Sequence, residues 1–535
     1  MKQFRINAVL STTLLIIAYQ PVYAAQISPN PNPLGNTITV EAGNDDINDL
    51  NFLNEGTIDI FGTLTNILSL TNRGTLNNNG TLNNNRNLNN EGSLTNDGSL
   101  TNTLSNTLSN DGSLTNNGSL TNNGSLTNNG NLGNLGTLIN DGTLTNNGSL
   151  VNLGTLTNDF TLINDATLIN SQDLTNRFSL TNNGSLTNNG TLTNAVSGTL
   201  TNIGGLANRG SLTNLGILTN VGSLINDGTL TNRFSLTNNG TLTNNGTLTN
   251  DGTLTNTFVG TMLNVNRLTN NGSLTNDGSL TNTLFGTLIN VDSLTNNGSL
   301  TNNGRLNNGI SGTLINNGTL MNNGNMSNDN SLTNNSTLMN NAQITGSGVI
   351  SQSAGQLVNN GSITQSVISI DGGTLLGSGT INGAVQIGSE GSVNPGNSPG
   401  TMTINGDFTS SGTLIFELAG TGAGEFDVLD INGSAFFNGG DIVFNLLDGF
   451  MPVADDTFDF LLADVITGLD TVNFSFNGLG AGFGFDVFNN NGSLSLLVSS
   501  LGVGNPNTVP EPAMLWLFGM GLFGVIVTRR RKRLH

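Results

Sequence analysis

From about Ile58 to Leu338 an apolar residue returns every six residues almost without interruption, and the residues between are almost all polar or glycine. Leu114, Leu120 and Leu126 keep this spacing, as do Leu236, Leu242, Leu248 and Leu254, in units reading Leu-Thr-Asn-Asn-Gly-Ser/Thr. Each Leu is flanked by hydroxyl residues, as in Thr241-Leu242-Thr243, so strand alternation turns Leu one way and both hydroxyls the other. Asn-Asn-Gly follows three residues of strand; these residues tolerate φ > 0 and suit a corner. One hexad cannot bury its Leu alone, but stacked coils line Leu over Leu down a narrow interior. A long helix is excluded, because Gly or Asn at almost every third residue costs too much. The strict six-residue grid argues against a disordered Asn/Gly-rich tract. The chain is expected to be all-β, a β-solenoid.

Irregular units set the number of hexads per coil. Five steps take eight residues: Leu100 to Leu108, Leu192 to Leu200, Leu254 to Met262, Leu280 to Leu288 and Leu306 to Leu314. Val196, Phe258, Leu284 and Ile310 occupy four of the widened corners, and Phe160, Phe178 and Phe234 replace corner glycines elsewhere. The marked corners before Leu108, Leu162, Leu180, Leu200 and Leu236 share one phase modulo three. That predicts three hexads per coil, about 15 coils, and a rod of about 70 Å at ~4.8 Å per coil. The marks at Met262, Leu288 and Leu314 are four units apart, a change of phase that suggests a wider coil or a bend.

The six-residue spacing resembles the left-handed hexapeptide β-helix. Asn two places after Leu departs from that pattern and suggests an Asn ladder as in right-handed solenoids, so handedness stays open. Gln26 to Asn51, with Pro29, Pro31 and Pro33, is expected to cap the N-terminal end, because exposed coil edges invite polymerisation. After about Gln352 the grid dissolves into a sequence richer in Phe, Val, Ile and Asp. Strand-like runs fall at Leu414 to Leu418, Asp427 to Ile431, Asp441 to Leu447, Phe458 to Leu462 and Leu494 to Val498. The segment Asn394-Pro395-Gly396-Asn397-Ser398-Pro399-Gly400-Thr401, leading to Asn405-Gly406, resembles β-helical passenger segments of autotransporters. It implies a wider β-helical or β-sandwich-like capping domain.

Charge and the two termini bear on destination. Of 14 basic residues, Lys2 and Arg5 open the chain and Arg529, Arg530, Arg531, Lys532 and Arg533 close it; the seven between are all Arg. Against 34 acids the central chain is strongly negative, and no basic cluster exists for nucleic acid to bind. Lys2 and Arg5 precede an apolar run from Ala8 to Ala18, and Val22-Tyr23-Ala24 ends it. This reads as a signal peptide cleaved by signal peptidase after Ala24. At the other end Val509-Pro510-Glu511-Pro512 precedes an apolar stretch from Ala513 to Val527 and then the basic cluster Arg529 to Arg533. Proline sets where a helix begins. The stretch falls short of the ~20 residues that span a bilayer, and Arg side chains reaching for headgroups make up the difference. The basic residues hold that end in the cytoplasm.

This tripartite tail resembles the PEP-CTERM sorting signal. The resemblance implies that Pro510, Glu511 and Pro512 are recognised by an exosortase, a membrane transpeptidase-like enzyme. The single transmembrane helix of the precursor is then removed and the body released to the cell surface or extracellular matrix. The expected organisation is signal peptide 1–24, cap 25–51, hexad solenoid 52–351, C-terminal β domain 352–500, linker 501–509 and sorting signal 510–535.

Processing at both ends removes Tyr19, Tyr23, Trp516 and His535, which are all the Tyr, Trp and His of the chain. There is no cysteine. The mature body then lacks the usual partners of acid–base and nucleophilic catalysis, so no enzyme is expected. Asp455, Asp456, Asp459 and Asp464 cluster as a carboxylate-only hydrolase would require, but turn and surface acids explain them better. No cofactor is expected; calcium would draw on Asp427, Asp430, Asp455 and Asp456, because hard oxygen ligands suit it, though no EF-hand spacing occurs. The expected role is a structural or adhesive surface protein, with exopolysaccharide or other matrix components as partners. The alternative is ice binding through outward Thr-x-Thr ranks, which resemble those of β-solenoid ice-binding proteins.

Overall fold

The computed structural model describes residues 24–500 apart from Ser398 and Ala481. Nearly every hexad is a four-residue strand, as in Ser119–Asn122 and Ser125–Asn128, followed by a two-residue corner. Burial alternates along each strand, so Leu and the Asn two places after it point inward and the two Ser/Thr positions point out. The sequence placed both Asn residues of the pair in the corner. The structure moves the first into the strand, because it lies two residues from Leu and so shares its face.

Every hexad strand of the repeat tract pairs in parallel with the strand three hexads away. Leu120 lies opposite Leu100 on one side and Leu138 on the other. Three walls result. The first holds Ser69–Asn72, Asn87–Asn90, Thr107–Asn110 and the strands stacked on them; the second holds Thr75–Asn78, Ser93–Asn96 and Ser113–Asn116; the third holds Thr81–Asn84, Ser99–Asn102 and Ser119–Asn122. Leucine after leucine on the grid is buried, forming one continuous core.

The coil does not widen at Met262, Leu288 or Leu314. Thr261, Thr287 and Thr313 still stack on Thr241, Arg267 and Ser293, three hexads back. The extra residues bulge outward, and each insertion moves to the next edge: first–second at Phe258, second–third at Leu284, third–first at Ile310. Leu104 occupies the remaining widened corner and is exposed as the others are.

The corner glycines do not adopt φ > 0; among the described residues no glycine between Gly43 and Gly346 does. Their requirement is steric. A Cβ on Gly118 would lie 2.1 Å from the Gly98 carbonyl oxygen one coil below, and a Cβ on Gly246 would lie 2.0 Å from that of Gly228.

At the N-terminal end Ala25–Gln26 and Thr37–Val40 lie over the next coil. Between them Asn32 exchanges backbone hydrogen bonds with Leu53, Glu55 and Gly56 (2.8–3.1 Å). Pro31 and Pro33 flank it and have no N–H to offer a further strand. At the other end the parallel coils continue and widen, which corrects the sandwich-like alternative. Ile381, Ile404, Ile431 and Ala463 stack on residues 18, 23, 27 and 32 positions earlier. The wider interior is filled by Phe: Phe416, Phe444 and Phe460 pack with centroids 4.8–6.0 Å apart. Ser493–Ser500 then turns antiparallel over Thr457–Thr467 and pairs with Phe483–Asn490, covering part of the last coil. In all the solenoid has about 22 turns. Among the described residues no helix is long and apolar enough to cross a membrane; the stretch Ala513 to Val527, expected from the sequence to be transmembrane, lies outside them.

Candidate functional site

Inside the rod, the inward Asn of each hexad forms one of three hydrogen-bonded ladders. Asn102 Nδ2 donates to Asn122 Oδ1 (2.7 Å), and Asn122 Nδ2 donates to Asn140 Oδ1 (2.7 Å) and to the Thr143 carbonyl (2.9 Å). Each amide thus binds its own kind one coil onward and the backbone of the next strand along. The ladders end where Asn334 donates to Gln352, Asn328 to Gln365 and Asn340 to Asn359. These side chains are spent on architecture, which leaves the walls and edges to meet partners.

The three walls differ in what they present. No outward strand position of the first wall carries a charge from Ser69 to Thr333. Its second outward column reads Thr at Thr181, Thr201, Thr219, Thr237, Thr255, Thr275 and Thr295 on successive coils. The same column on the second wall includes Val151, Ile169, Ile225, Leu263, Met321 and Met339. The third wall is interrupted by Asp173, Arg267 and Arg305. Outward side chains in a strand lie ~7 Å apart and coils ~4.8 Å apart, so the first wall is a two-dimensional array of hydroxyls and methyls.

Charge is confined largely to the edges, where it stacks. Arg73 pairs with Glu91 (2.8 Å) and Arg177 with Asp159 (2.9 Å), each across neighbouring coils. The hydrogen bond and charge of Glu91 hold the Arg73 guanidinium above its ordinary pKa. Burial, then the charge and hydrogen bond of Asp159, raise the Asp141 carboxyl, and Arg177 partly offsets this. Exposed corner amides form a second, outer ladder: Asn117 Nδ2 donates to Asp97 (2.7 Å) and Asn129 Nδ2 to Asp111 (2.6 Å).

The third–first edge also carries exposed apolar side chains: Leu104, Phe160, Phe178, Val196, Phe234 and Ile310. Phe160 and Phe178 stack face to face, with centroids 5.4 Å apart and planes 1° apart. Between Leu104 and Phe160 two glycine corners, Asn123-Gly124 and Asp141-Gly142, form the floor of an open groove of about 510 Å³. A second groove of about 370 Å³ lies between Leu284–Phe285 and Ala342, over Gly304 and Gly324.

The aspartates singled out as calcium ligands or catalytic carboxylates are not brought together. Among the described residues no group of three or more acidic, His or Cys side chains is placed to hold a metal. Asp427 is buried and accepts from Gly400 N (2.8 Å) and Glu417 N (2.9 Å). Asp456 closes a turn by accepting from Val453 N (2.7 Å), and Asp459 accepts from the Ser495 hydroxyl. Sequence reasoning missed Asp427 as a structural group, since nothing in its neighbourhood along the chain marks the distant turn it binds.

Ala24, the expected cleavage position, immediately precedes the first strand. Pro510, Glu511, Pro512 and the cluster Arg529, Arg530, Arg531, Lys532 and Arg533 lie outside the described residues. No curated protein matches the chain. Residues 508–532 do match a family: they carry the PEP-CTERM protein-sorting motif, which marks this β-solenoid as an exosortase-sorted, secreted surface protein.

Proposed function

We propose that the mature chain is a non-enzymatic structural or adhesive rod of the bacterial envelope or exopolysaccharide matrix, working without a cofactor. The observation that carries this reading is a sorting motif attached to a long solenoid whose first wall is repetitive and uncharged. A repeated surface binds by many weak, identical contacts, which suits a polymer better than a single small molecule. The absence of His, Lys, Cys, Tyr and Trp from the body between the two processed ends fits a surface without acid–base chemistry.

A deletion strain tests the role. Loss of cohesion or polysaccharide retention in its matrix, restored by the intact gene, is the expected result. An unchanged matrix, with the protein free in the medium, would count against the proposal.

The Thr column from Thr181 to Thr295 favours a second reading, ice binding by the first wall. Replacing Thr219, Thr237 and Thr255 by Lys would then abolish thermal hysteresis. No hysteresis in the wild-type protein at micromolar concentration removes this reading.

A further inference from the structure

In the hexad tract, most corners of sequence Asn-Gly hold the glycine N–H in a hydrogen bond between coils. Gly118 N donates to Asn96 O (2.9 Å), Gly130 N to Asn110 O (2.9 Å) and Gly148 N to Asn128 O (3.0 Å). In each case the preceding Asn N–H shares the same acceptor. The Asn123-Gly124 corner is different. Asn123 N donates to Asn102 O (2.8 Å), but among the described residues Gly124 N has no hydrogen bond.

The cause lies one coil below. The corner beneath is the widened one, Thr103-Leu104-Ser105-Asn106, in which Ser105 adopts φ 65° and Asn106 N turns back to Thr103 O (3.2 Å). The side chain of Asn123 is unrestrained as well. In the outer ladder the later amide donates to the earlier oxygen, as Asn147 does to Asn129 (2.9 Å). Above Asn123 stands Asp141, which has no amide to give, and below it the regular ladder is broken by the widened corner. Among the described residues, Asn123 has no side-chain hydrogen bond.

We propose that Asn123 is a site of spontaneous deamidation, selected by the fold from a series of near-identical sequences. The Gly124 nitrogen attacks Asn123 Cγ, losing its proton as the N–Cγ bond forms. The Cγ–Nδ2 bond breaks and the amide leaves as ammonia. Water then opens the resulting succinimide at either carbonyl, giving aspartate or isoaspartate. Both requirements of the first step, a free nucleophilic N–H and a mobile carboxamide, are met at Asn123. Elsewhere an inter-coil hydrogen bond must open first. Gly304 N and Gly324 N are also without partners, but there Asn323 Nδ2 donates to Asn303 Oδ1 (3.0 Å) and Asn341 Nδ2 to Asn323 Oδ1 (2.8 Å). These two sites rank behind Asn123. The product places a second carboxylate beneath Asp141 on the groove floor, so the change makes this stretch of the edge more acidic with age.

The experiment is built into the sequence. Cleavage at Arg86 and Arg177 releases one fragment that contains four Asn-Gly corners: Asn117, Asn123, Asn129 and Asn147. Three of them, Asn123 included, share the sequence Thr-Asn-Asn-Gly-Ser. The folded full chain is aged at mildly alkaline pH, cleaved, and analysed by electron-transfer fragmentation, which separates aspartate from isoaspartate. Asn123 is expected to convert roughly tenfold faster than the other three, the ratio set by the hydrogen bonds they must open. Ageing in denaturant should bring all four to one rate. Equal rates in the folded chain, or faster loss at any of the other three, would overturn the proposal.

Discussion

The side-chain oxygen of Asn78 is buried without a hydrogen-bond donor, because the residue beneath it in the preceding coil is Ile60. The ladders are polar: every amide donates toward the C-terminus, so each ladder's first oxygen needs a donor from elsewhere. Asn36 supplies it to Asn32 (2.6 Å) and Gln26 approaches Asn48 (3.5 Å), but Ile60 cannot supply it to Asn78. Replacing Asn78 by Ile therefore moves the orphan oxygen to Asn96 and removes one bond to the Ser99 carbonyl (2.8 Å), and should cost about 1 kcal/mol. The same change at Asn146, in mid-ladder, strands the donor of Asn128 and the acceptor of Asn164, which bond it at 2.7 Å each. Two buried polar groups then go unpaired, at about 2–5 kcal/mol. Urea denaturation of the N78I and N146I proteins measures the difference; equal losses would mean that the ladder is not the stabilising unit.

The sorting motif predicts a mass. Secreted protein should lack the tail from Arg529 to Arg533, and substitution of Glu511 by Ala should leave that tail in place and the protein in the membrane fraction. We propose separate jobs for the two parts of the tail: the basic cluster and apolar run retain the chain, whereas the processing enzyme reads Pro510, Glu511 and Pro512. Intact-mass spectrometry of both fractions decides it, and a tail on the secreted wild-type protein would refute processing.

The corners give a graded prediction. At Ala166 and Phe160 a Cβ occupies the glycine position, and the bonds there lengthen: Phe160 N to Asn140 O and Ala166 N to Asn146 O are 3.2 Å, against 2.9 Å for Gly118 N to Asn96 O. The following strand is pushed out too, with Thr161 N 3.1 Å from Gly142 O against 2.9 Å for Ser119 N to Gly98 O. Gly118→Ala should thus be tolerated at about 1 kcal/mol, since the stack yields by a few tenths of an ångström. Hydrogen exchange at Ser119 should accelerate while the opposite walls stay protected. Unfolding of the whole rod by this one change would show the stack to be rigid.

Much of this was legible because the hexad repeats a local rule. Leu242 and Thr243 alternate in and out by strand geometry alone, and the coil size followed from the phase of Phe160, Phe178 and Phe234. The same counting held a second answer. Inserts four units apart on a three-hexad coil advance by one turn and one edge, which is the path from Phe258 to Leu284 to Ile310. What stayed hidden depends on neighbours a coil away. The need for Gly118 comes from the Gly98 carbonyl, not from its own φ. The free N–H of Gly124 comes from the bulge at Leu104. The sorting motif was legible in residue order alone, because it is a linear sequence at residues 508–532.

Asp427 makes the C-terminal coils sensitive to pH. Its carboxylate joins the turn at Gly400 to the strand Thr413–Leu418, through the N–H groups of Gly400 and Glu417. Burial raises its pKa to about 7; those two N–H groups oppose the shift and the charge of Glu417 adds to it. The folded state therefore holds the proton more tightly than the unfolded chain does. Below the unfolded value near 4 the acid is protonated in both states and costs nothing. As pH rises toward 7 the fold must pay to ionise it, up to about 4 kcal/mol, and beyond 7 the loss levels off. The stability of these coils should fall between pH 4 and 7, as read by urea denaturation with circular dichroism. In the Asp427→Asn protein that fall should disappear, with a lower starting stability because the amide turns its NH₂ toward one of the two N–H donors. An unchanged pH profile in the variant would assign the dependence to other carboxylates.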